Sequence, residues 1–251
     1  MATDVSDFSC RAILLFAMKR EVGPLVARPE MQPAWLEESQ VFAFLRTLPD
    51  PADVIEPTAD DVIFDFTVVG IAAATRTLER ILNHFPRPGI VIAAGYCGAL
   101  KSKYAVGDVV VPSDVVDETG LSWRCQPLPE FPQDGRLFTA SHIIGEPQAK
   151  ADASSRFKAD IVDMESAAIA KLCAERGISF AVIRAISDTS DTALSPHLAR
   201  LLSGGEVSIW RACRALARRP SLLREFLRLA RDTKLAARNL AAALVKVIGP
   251  A

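Results

Sequence analysis

The sequence lacks the features that mark metal-binding, secreted and membrane-spanning proteins. Its five cysteines are scattered along the chain without the paired spacings that hold zinc, which favours a reducing compartment. Apolar runs such as 12–18 are too short to cross a bilayer, and Asp4 and Asp7 precede that run where a signal peptide has basic residues. We therefore expect a cytoplasmic protein. The cysteines are Cys10, Cys97, Cys125, Cys173 and Cys213.

The chain as a whole has no large excess of either charge, but its last part is strongly basic. The 251 residues carry a formal net charge of −1, and half of them are apolar, which is typical of a soluble globule with one sizeable core. Residues 209–246 instead hold ten basic residues against Glu225 and Asp232, a net charge of +8. The aromatic residues of this segment are Trp210 and Phe226, too few for a nucleic-acid-binding surface, so we expect no nucleic acid as a partner.

Short β-rich runs alternate with helical patterns along most of the chain. Apolar stripes at a helical period predict helices over 75–85 and 164–176, and Gly177 ends the second of them. Strands and helices that alternate at these lengths predict an α/β fold with a twisted mixed β-sheet flanked by helices. Ligands of such folds gather at the carboxyl ends of the strands. The strands are predicted at 12–16, 41–45, 62–69, 90–94, 109–111 and 180–186.

Prolines mark two further segments. The proline-rich stretch 113–135 is predicted to be a loop. Pro220 divides the C-terminal amphipathic pattern into successive helices, with apolar residues on one face and arginines on the other. We therefore predict one domain over 1–208 and a basic helical extension over 209–251 that packs on it, with its arginines in water. The alternative is that this extension lies on a membrane surface.

Three acidic residues stand where predicted strands give way to loops or helices. Asp188 follows the apolar run 180–186, Glu165 precedes a helix, and Glu21 opens a helix after the first strand. Taken singly, each has an ordinary structural role as a turn former or a first-turn residue of a helix. Taken together, they suit the cleavage of a bond between sugar and base. Carboxyl groups can protonate the leaving base, stabilise a cationic sugar and position a nucleophile.

A glycine-rich segment and three sequence strings give these acidic residues a context. The segment, GYCGAL at 95–100, is predicted to be a turn. The strings are AVGDVVVPSD at 105–114, VDMESAAIA at 162–170 and RAISDTSD at 184–191. On these motifs, the chain from about residue 11 to about residue 194 resembles the methylthioadenosine and S-adenosylhomocysteine nucleosidases and their phosphorylase relatives. The resemblance implies a nucleoside phosphorylase-like fold, an enzyme that cleaves the N-glycosidic bond of a nucleoside, and a homo-oligomer. It implies neither a metal nor an organic cofactor.

The resemblance assigns roles at the base and at the sugar. Asp188 would be the general acid that protonates N7 of the purine, and Ser187 would orient its carboxyl group. Glu165 and Met164 would hold the ribose, Glu165 through the ribose hydroxyls. These two pairs of residues are therefore expected to face one cavity.

The resemblance also assigns roles around the nucleophile. Glu21 would position or activate the attacking water, with Arg184 close to the same site. The segment with Gly95, Cys97 and Gly98 would bring backbone groups near sugar and base, since glycine permits a close approach.

Departures from the family pattern bear on the choice of nucleophile. Ala94 stands where the phosphorylases have an arginine that binds phosphate, although Lys19 and Arg20 remain alternative phosphate ligands. Tyr96 replaces a Ser or Thr that is common in nucleosidases, and Asp163 replaces the first glutamate of their ribose motif. We predict hydrolysis by water and keep a phosphate-dependent purine nucleoside phosphorylase as the alternative.

The basic C-terminal segment extends the resemblance to nucleosidases associated with hopanoid lipid synthesis, whose leaving base is adenine. That likeness implies an adenosine derivative with a large apolar 5′ group and peripheral contact of the C-terminal helices with a membrane. An interpretation from another class is a non-catalytic nucleoside-binding or membrane-surface protein. Retention of Glu21, Glu165 and Asp188 argues against it.

Overall fold

The computed structural model describes residues 9–17, 19–27, 32–36, 41–45, 62–66, 70–194 and 221–248. The eleven strands found in these residues join one mixed sheet. They are β1 (Ser9–Phe16), β2 (Gln32–Leu36), β3 (Val41–Leu45), β4 (Val62–Phe66), β5 (Arg87–Ala99), β6 (Val109–Val110), β7 (Asp114–Val116), β8 (Ser122–Arg124), β9 (Arg136–Thr139), β10 (Ile161–Asp163) and β11 (Phe180–Asp188).

Five helices connect or cover these strands in the described residues. They are α1 (Lys19–Val26), α2 (Ile71–His84), α3 (Pro147–Phe157), α4 (Ser166–Arg176) and α5 (Ser221–Ile248). Strands and helices thus alternate along the chain, and the predicted α/β fold with helices flanking a mixed sheet is confirmed.

Strand β5 is the centre of the sheet. Its 13 residues pair in parallel with β1 on one side and with β11 on the other. Near its end, β5 also pairs with the antiparallel strand β10. The rest of the sheet follows the order β2-β3-β4-β1-β5-β10-β9-β7-β8, while β6 pairs with β11. Because β1, β5 and β11 run in the same direction, their carboxyl ends meet at one edge, which is where ligands bind in such folds.

Alternating side chains of β1 explain why helices cover both faces of the sheet. Ile13 and Leu15 pack in the core beneath α2 and α4, whereas Leu14 and Phe16 pack in the core beneath α5. All four side chains are buried, as expected for a parallel strand covered on both faces. Helix α5 belongs fully to this arrangement, since its residues Ala236, Leu240 and Leu244 are buried against the sheet.

Several boundaries differ from the sequence predictions. The stretch 113–135 is not a plain loop, because β7 and β8 within it extend the sheet as an antiparallel pair. The glycine-rich segment 95–100 is no turn either, since β5 continues through it to Ala99. The sequence prediction also missed β2, β9, β10 and α3. These strands are short, and short strands carry too few residues to show a period.

The C-terminal prediction holds in part. Helix α5 begins directly after Pro220 and continues unbroken for 28 residues. The predicted domain boundary at 208 and the helix predicted between 209 and 219 lie outside the described residues. Within the part of the chain that the structure describes, no helix combines the length and apolar character needed to cross a bilayer.

Candidate active site

A cleft of about 160 Å³ opens at the carboxyl ends of β1, β5 and β11. Seven of the nine residues predicted for the site line it. The other two lie near the lining residue Glu21: a Cβ atom at Gly95 would lie 2.9 Å from Glu21 Oε1, and the charge of Glu21 acts on Arg184. Strand ends and two helices supply the remaining walls, including Leu229 and Thr233 from α5. The seven lining residues are Glu21, Cys97, Gly98, Met164, Glu165, Ser187 and Asp188. The three acidic residues singled out in the sequence therefore share one cavity.

One half of the cleft is built around a buried arginine. Arg184 is 1% exposed, and its guanidinium donates through Nη2 to the Asp163 carboxylate and, at 2.9 Å, to Ser166 Oγ. Glu165 and Glu21 lie near enough for their charges, with that of Asp163, to raise the pKa of Arg184 against the opposing effect of burial. We call Arg184, Asp163, Glu165 and Glu21 the arginine cluster. It holds one cation and three carboxyl groups.

Asp163 is committed to holding this cluster together. Besides the Arg184 guanidinium, Thr139 Oγ1 donates to its Oδ1 at 2.7 Å. The backbone N–H of Ser166 donates to its Oδ2 at 3.1 Å, so the carboxylate also stabilises the first turn of α4. Asp163 thus anchors Arg184 and the start of α4, although it stands at the position of the family's ribose-motif glutamate.

Glu165 lies just before α4 and is 5% exposed. Its Oε1 accepts the Gly70 N–H at 2.9 Å, and its Oε2 accepts the N–H of Met164 at 3.3 Å. Burial and the neighbouring charge of Asp163 raise the pKa of Glu165 to about 7, while Arg184 and the Gly70 N–H act in the opposite direction. This carboxyl group therefore changes protonation near neutral pH.

Glu21 and Gly95 show why β5 needs glycine at its end. Glu21 opens α1, is 1% exposed, and accepts the backbone N–H of Tyr96 at 3.0 Å through Oε1. A Cβ atom added to Gly95 would lie 2.4 Å from Arg184 Nη1 and 2.9 Å from Glu21 Oε1. Any side chain at position 95 would therefore displace the arginine cluster.

The other half of the cleft is built around Asp188, at a bulge where β11 ends. The Ser187 hydroxyl lies 2.8 Å from Asp188 Oδ1 and 3.2 Å from the carbonyl oxygen of Cys97, and it can donate to either. Lys150 Nζ donates to Asp188 Oδ2 at 2.5 Å. We call Lys150, Ser187 and Asp188 the lysine group. It holds one cation and one carboxyl group.

Backbone and thiol groups complete this half. A Cβ atom at Gly98 would lie 3.0 Å from Asp188 Oδ2 and 3.3 Å from Val162 Cγ1, so the strand passes close beneath the carboxyl group. Burial raises the pKa of the Cys97 thiol well above its ordinary value. Cys97 thus stays a neutral thiol and takes part in the site through its carbonyl oxygen.

Lys150 is the main site residue that sequence reasoning missed. It lies in α3 among small residues, in the string PQAKADASS, and nothing in that pattern distinguishes it from a solvated lysine. The fold nevertheless buries it completely beside Asp188. Among the described residues, no group of three or more His, Cys, Asp or Glu side chains has the arrangement of a metal site.

Known proteins match this chain over most of its length. Residues 12–132 and 129–228 match the sequence profile of the phosphorylase superfamily. A 5′-methylthioadenosine/S-adenosylhomocysteine nucleosidase of Buchnera aphidicola subsp. Schizaphis graminum is 27% identical in an alignment of 158 residues, and the match covers 51% of this chain and 67% of the relative. One from Staphylococcus saprophyticus is 28% identical in an alignment of 161 residues, and that match covers 52% of this chain and 70% of the relative.

Solved structures show the same fold. The 5′-methylthioadenosine/S-adenosylhomocysteine nucleosidase of Helicobacter pylori, in complex with butyl-thio-DADMe-Immucillin-A, has a TM-score of 0.67 at 16% identity and covers 96% of this chain and 99% of its own. Futalosine hydrolase of the same organism has a TM-score of 0.66 at 16% identity, covering 95% of this chain and 97% of its own. Both likenesses cover nearly the whole of this chain.

Proposed function

The chain belongs to the phosphorylase superfamily, and from that premise we propose that it is an enzyme that hydrolyses the N-glycosidic bond of a purine nucleoside and releases the free base. One observation carries the proposal: Asp188, Glu165 and Glu21, which come from three separate parts of the chain, line one cleft at the carboxyl ends of the central strands. The curated relatives, which are nucleosidases, support hydrolysis of a nucleoside.

Departure of the base needs a proton. In the proposed mechanism Asp188 donates it to N7 of the purine, because a base that leaves as a neutral molecule is a far better leaving group than its anion. The Ser187 hydroxyl, 2.8 Å from Oδ1, fixes the carboxyl group in the plane from which it donates. The O–H bond of Asp188 breaks as the N–H bond of the base forms, and the carboxylate remains.

Charge at the sugar is the second requirement. As the glycosidic bond breaks, the ribose ring acquires positive charge. The arginine cluster places three carboxyl groups around one guanidinium, so its net charge is negative when these groups are ionised. Glu165 is assigned to the ribose hydroxyls, and its ionised form accepts hydrogen bonds from them. The cluster thus supplies both the sugar contacts and the field that stabilises the cation.

The same charge favours water over phosphate as the nucleophile. A phosphate near Arg184 would face the carboxylates of Asp163 and Glu21 as well as the guanidinium, and Arg184 already donates to Asp163 and Ser166. Repulsion by these carboxylates disfavours an anion but not a water molecule. We assign Glu21, held by the Tyr96 N–H, to orient the attacking water, whose oxygen bonds to C1′ of the ribose as one of its protons passes to the Glu21 carboxylate.

The substrate we propose is an adenosine derivative with an apolar 5′ substituent. Four apolar side chains line part of the cleft: Ile143, Ile144, Leu194 and, from α5, Leu229. An apolar group bound there would remove both surfaces from water. We further propose a homo-oligomer in the cytoplasm, with the arginines of α5 in water and contact with a membrane surface as the alternative.

A panel of nucleosides tests the function. Adenosine, 5′-methylthioadenosine, S-adenosylhomocysteine, inosine and an adenosine with a longer 5′-alkyl group are incubated with the protein in buffers with and without phosphate. Chromatography then measures the free base and the sugar product. We expect adenine and a free sugar in both buffers. Release that stops without phosphate would assign the chain to the phosphorylases, and binding without any release of base would assign it to non-catalytic nucleoside-binding proteins.

A further inference from the structure

We propose that Lys150 is a positioning residue for Asp188 that fixes the carboxyl group and stabilises the carboxylate left after proton transfer. The inference rests on the proposed function, since it concerns the group that protonates the leaving base. Neither the sequence motifs nor the family resemblance points to this lysine.

The surroundings of Lys150 fit a charged ammonium group. The side chain is 0% exposed, and a buried ammonium is costly unless acceptors surround it. Its Nζ donates to Asp188 Oδ2 at 2.5 Å, to the Thr189 carbonyl at 2.6 Å and to the Thr192 carbonyl at 3.5 Å. Three acceptors match the three protons of an ammonium group, whereas a neutral amine has two.

These contacts fix the position of the Asp188 carboxyl group. Ser187 holds Oδ1 from β11 itself, and Lys150 holds Oδ2 from α3, so rotation of the carboxyl plane would break one contact or the other. The carbonyls of Thr189 and Thr192 belong to the loop that follows β11, so the same ammonium also fixes that loop. A proton donor held from two sides keeps the geometry that transfer requires.

The charge of Lys150 acts on the transfer step itself. Before transfer the protonated acid faces an ammonium ion, and afterwards a carboxylate faces it at hydrogen-bonding distance. The attraction is therefore gained in the product of the step.

Titratable groups other than Lys150 also lie near Asp188 in the described residues. Cys97 lies across from it on β5 and is neutral, because burial raises the pKa of its thiol. Asp191 lies in the following loop, is exposed, and accepts a hydrogen bond from Thr189 Oγ1 at 2.5 Å. Lys150 is the cation for which the described part of the chain shows a direct contact with Asp188.

The test compares K150M and K150Q with the wild-type protein, using the panel nucleoside that the wild type cleaves fastest. K150M removes charge and hydrogen bonds, whereas K150Q keeps a donor without the charge. The matched control is K101M, because Lys101 forms a 2.7 Å ion pair with Asp160 at a site that is 48% exposed and outside the cleft. Base release is measured as kcat and KM from pH 5 to pH 9, and folding is followed by thermal unfolding.

We expect both Lys150 variants to lose about 10- to 100-fold in kcat on the plateau of the pH profile, with KM changed less than about threefold. The pH dependence of kcat should differ from that of the wild type in both variants, because the ammonium group no longer faces the proton donor. K101M should match the wild type. An unchanged kcat and pH dependence in the variants, or variants that do not fold at all, would assign Lys150 to stability alone. A wild type that releases no base is a failure of the proposed function, seen before any variant is measured.

Discussion

The two halves of the cleft use opposite charge balances. The arginine cluster surrounds one buried guanidinium with three carboxyl groups, so it carries excess negative charge when they are ionised. The lysine group pairs one ammonium with one carboxyl group, so its charge is +1 while Asp188 holds the proton and zero once the proton has left. The first arrangement is a fixed field, suited to a sugar that becomes cationic. The second is suited to moving a proton, because its net charge changes by one when Asp188 gives its proton away.

The two halves also differ in the elements of the fold that supply their residues. The residues of the arginine cluster come from α1, from β11 and from the strand–helix junction around Asp163, so they depend on the register of the central sheet. The lysine group joins the end of β11 to α3, which lies outside the sheet. The arginine cluster is thus positioned mainly around the sheet, whereas the Asp188 carboxyl group at the end of β11 is also held by a helix outside the sheet.

Removing the proton donor should give the largest effect. In D188N the side chain keeps its shape but has no acidic proton, so we expect kcat for release of the purine to fall roughly 10³-fold. The exposed neighbour Asp191 provides the control, and D191N should stay within about threefold of the wild type. Steady-state kinetics on the best nucleoside of the panel measures both. A D188N protein with wild-type turnover would show that the proton comes from another group.

A pair of glycine substitutions compares the two halves directly. G95A would place a methyl group 2.4 Å from Arg184 Nη1, whereas G98A would place one 3.0 Å from Asp188 Oδ2. We expect G95A to lower the free energy of unfolding by about 2 kcal/mol and G98A by less, because the arginine cluster is packed more tightly. Denaturant titration measures both values. Equal losses would mean that the tightness of packing does not distinguish the halves.

The smallest effect concerns the pH dependence of stability. The folded protein holds the Glu165 proton up to a pKa of about 7, whereas the ordinary value is 4.5. The unfolded chain therefore loses this proton first, and the contribution of Glu165 to stability is complete below pH 4.5 and lost as the pH rises through 7. E165Q cannot titrate, so its fall in Tm between pH 5 and pH 8 should be about 3 °C smaller than that of the wild type. Parallel Tm curves for the two proteins would contradict the shifted pKa.

Sequence reasoning reached the α/β sheet because its central strands are strongly patterned. The apolar runs of β1 and β11 are buried on both faces, and such runs are easy to recognise. Glu21, Glu165 and Asp188 could be predicted as site residues because they stand at the ends of predicted strands or the starts of helices and within family motifs. The structure brings them into one cleft, while their catalytic roles stay predictions.

Lys150 shows what sequence reasoning could not reach. Its contact with Asp188 spans 38 positions and depends on how α3 lies against the end of β11. No local period records that packing. Asp163 is a milder case: the motif located it, but its commitment to Arg184 and to the N-terminus of α4 follows from hydrogen bonds that only folding creates.

Strand β5 has one further consequence. Its residue Tyr96 gives its N–H to the carboxylate assigned to the water, and the next residue, Cys97, offers its carbonyl to the serine beside the proton donor. Two neighbouring residues of one strand thus fix the spacing between the two groups that they contact, because covalent geometry sets a rise of roughly 3.3 Å per residue. Substitutions at the rim of the cleft can change which outer groups of a ligand bind. The bond that reacts must still fit the distance that β5 sets between these two groups.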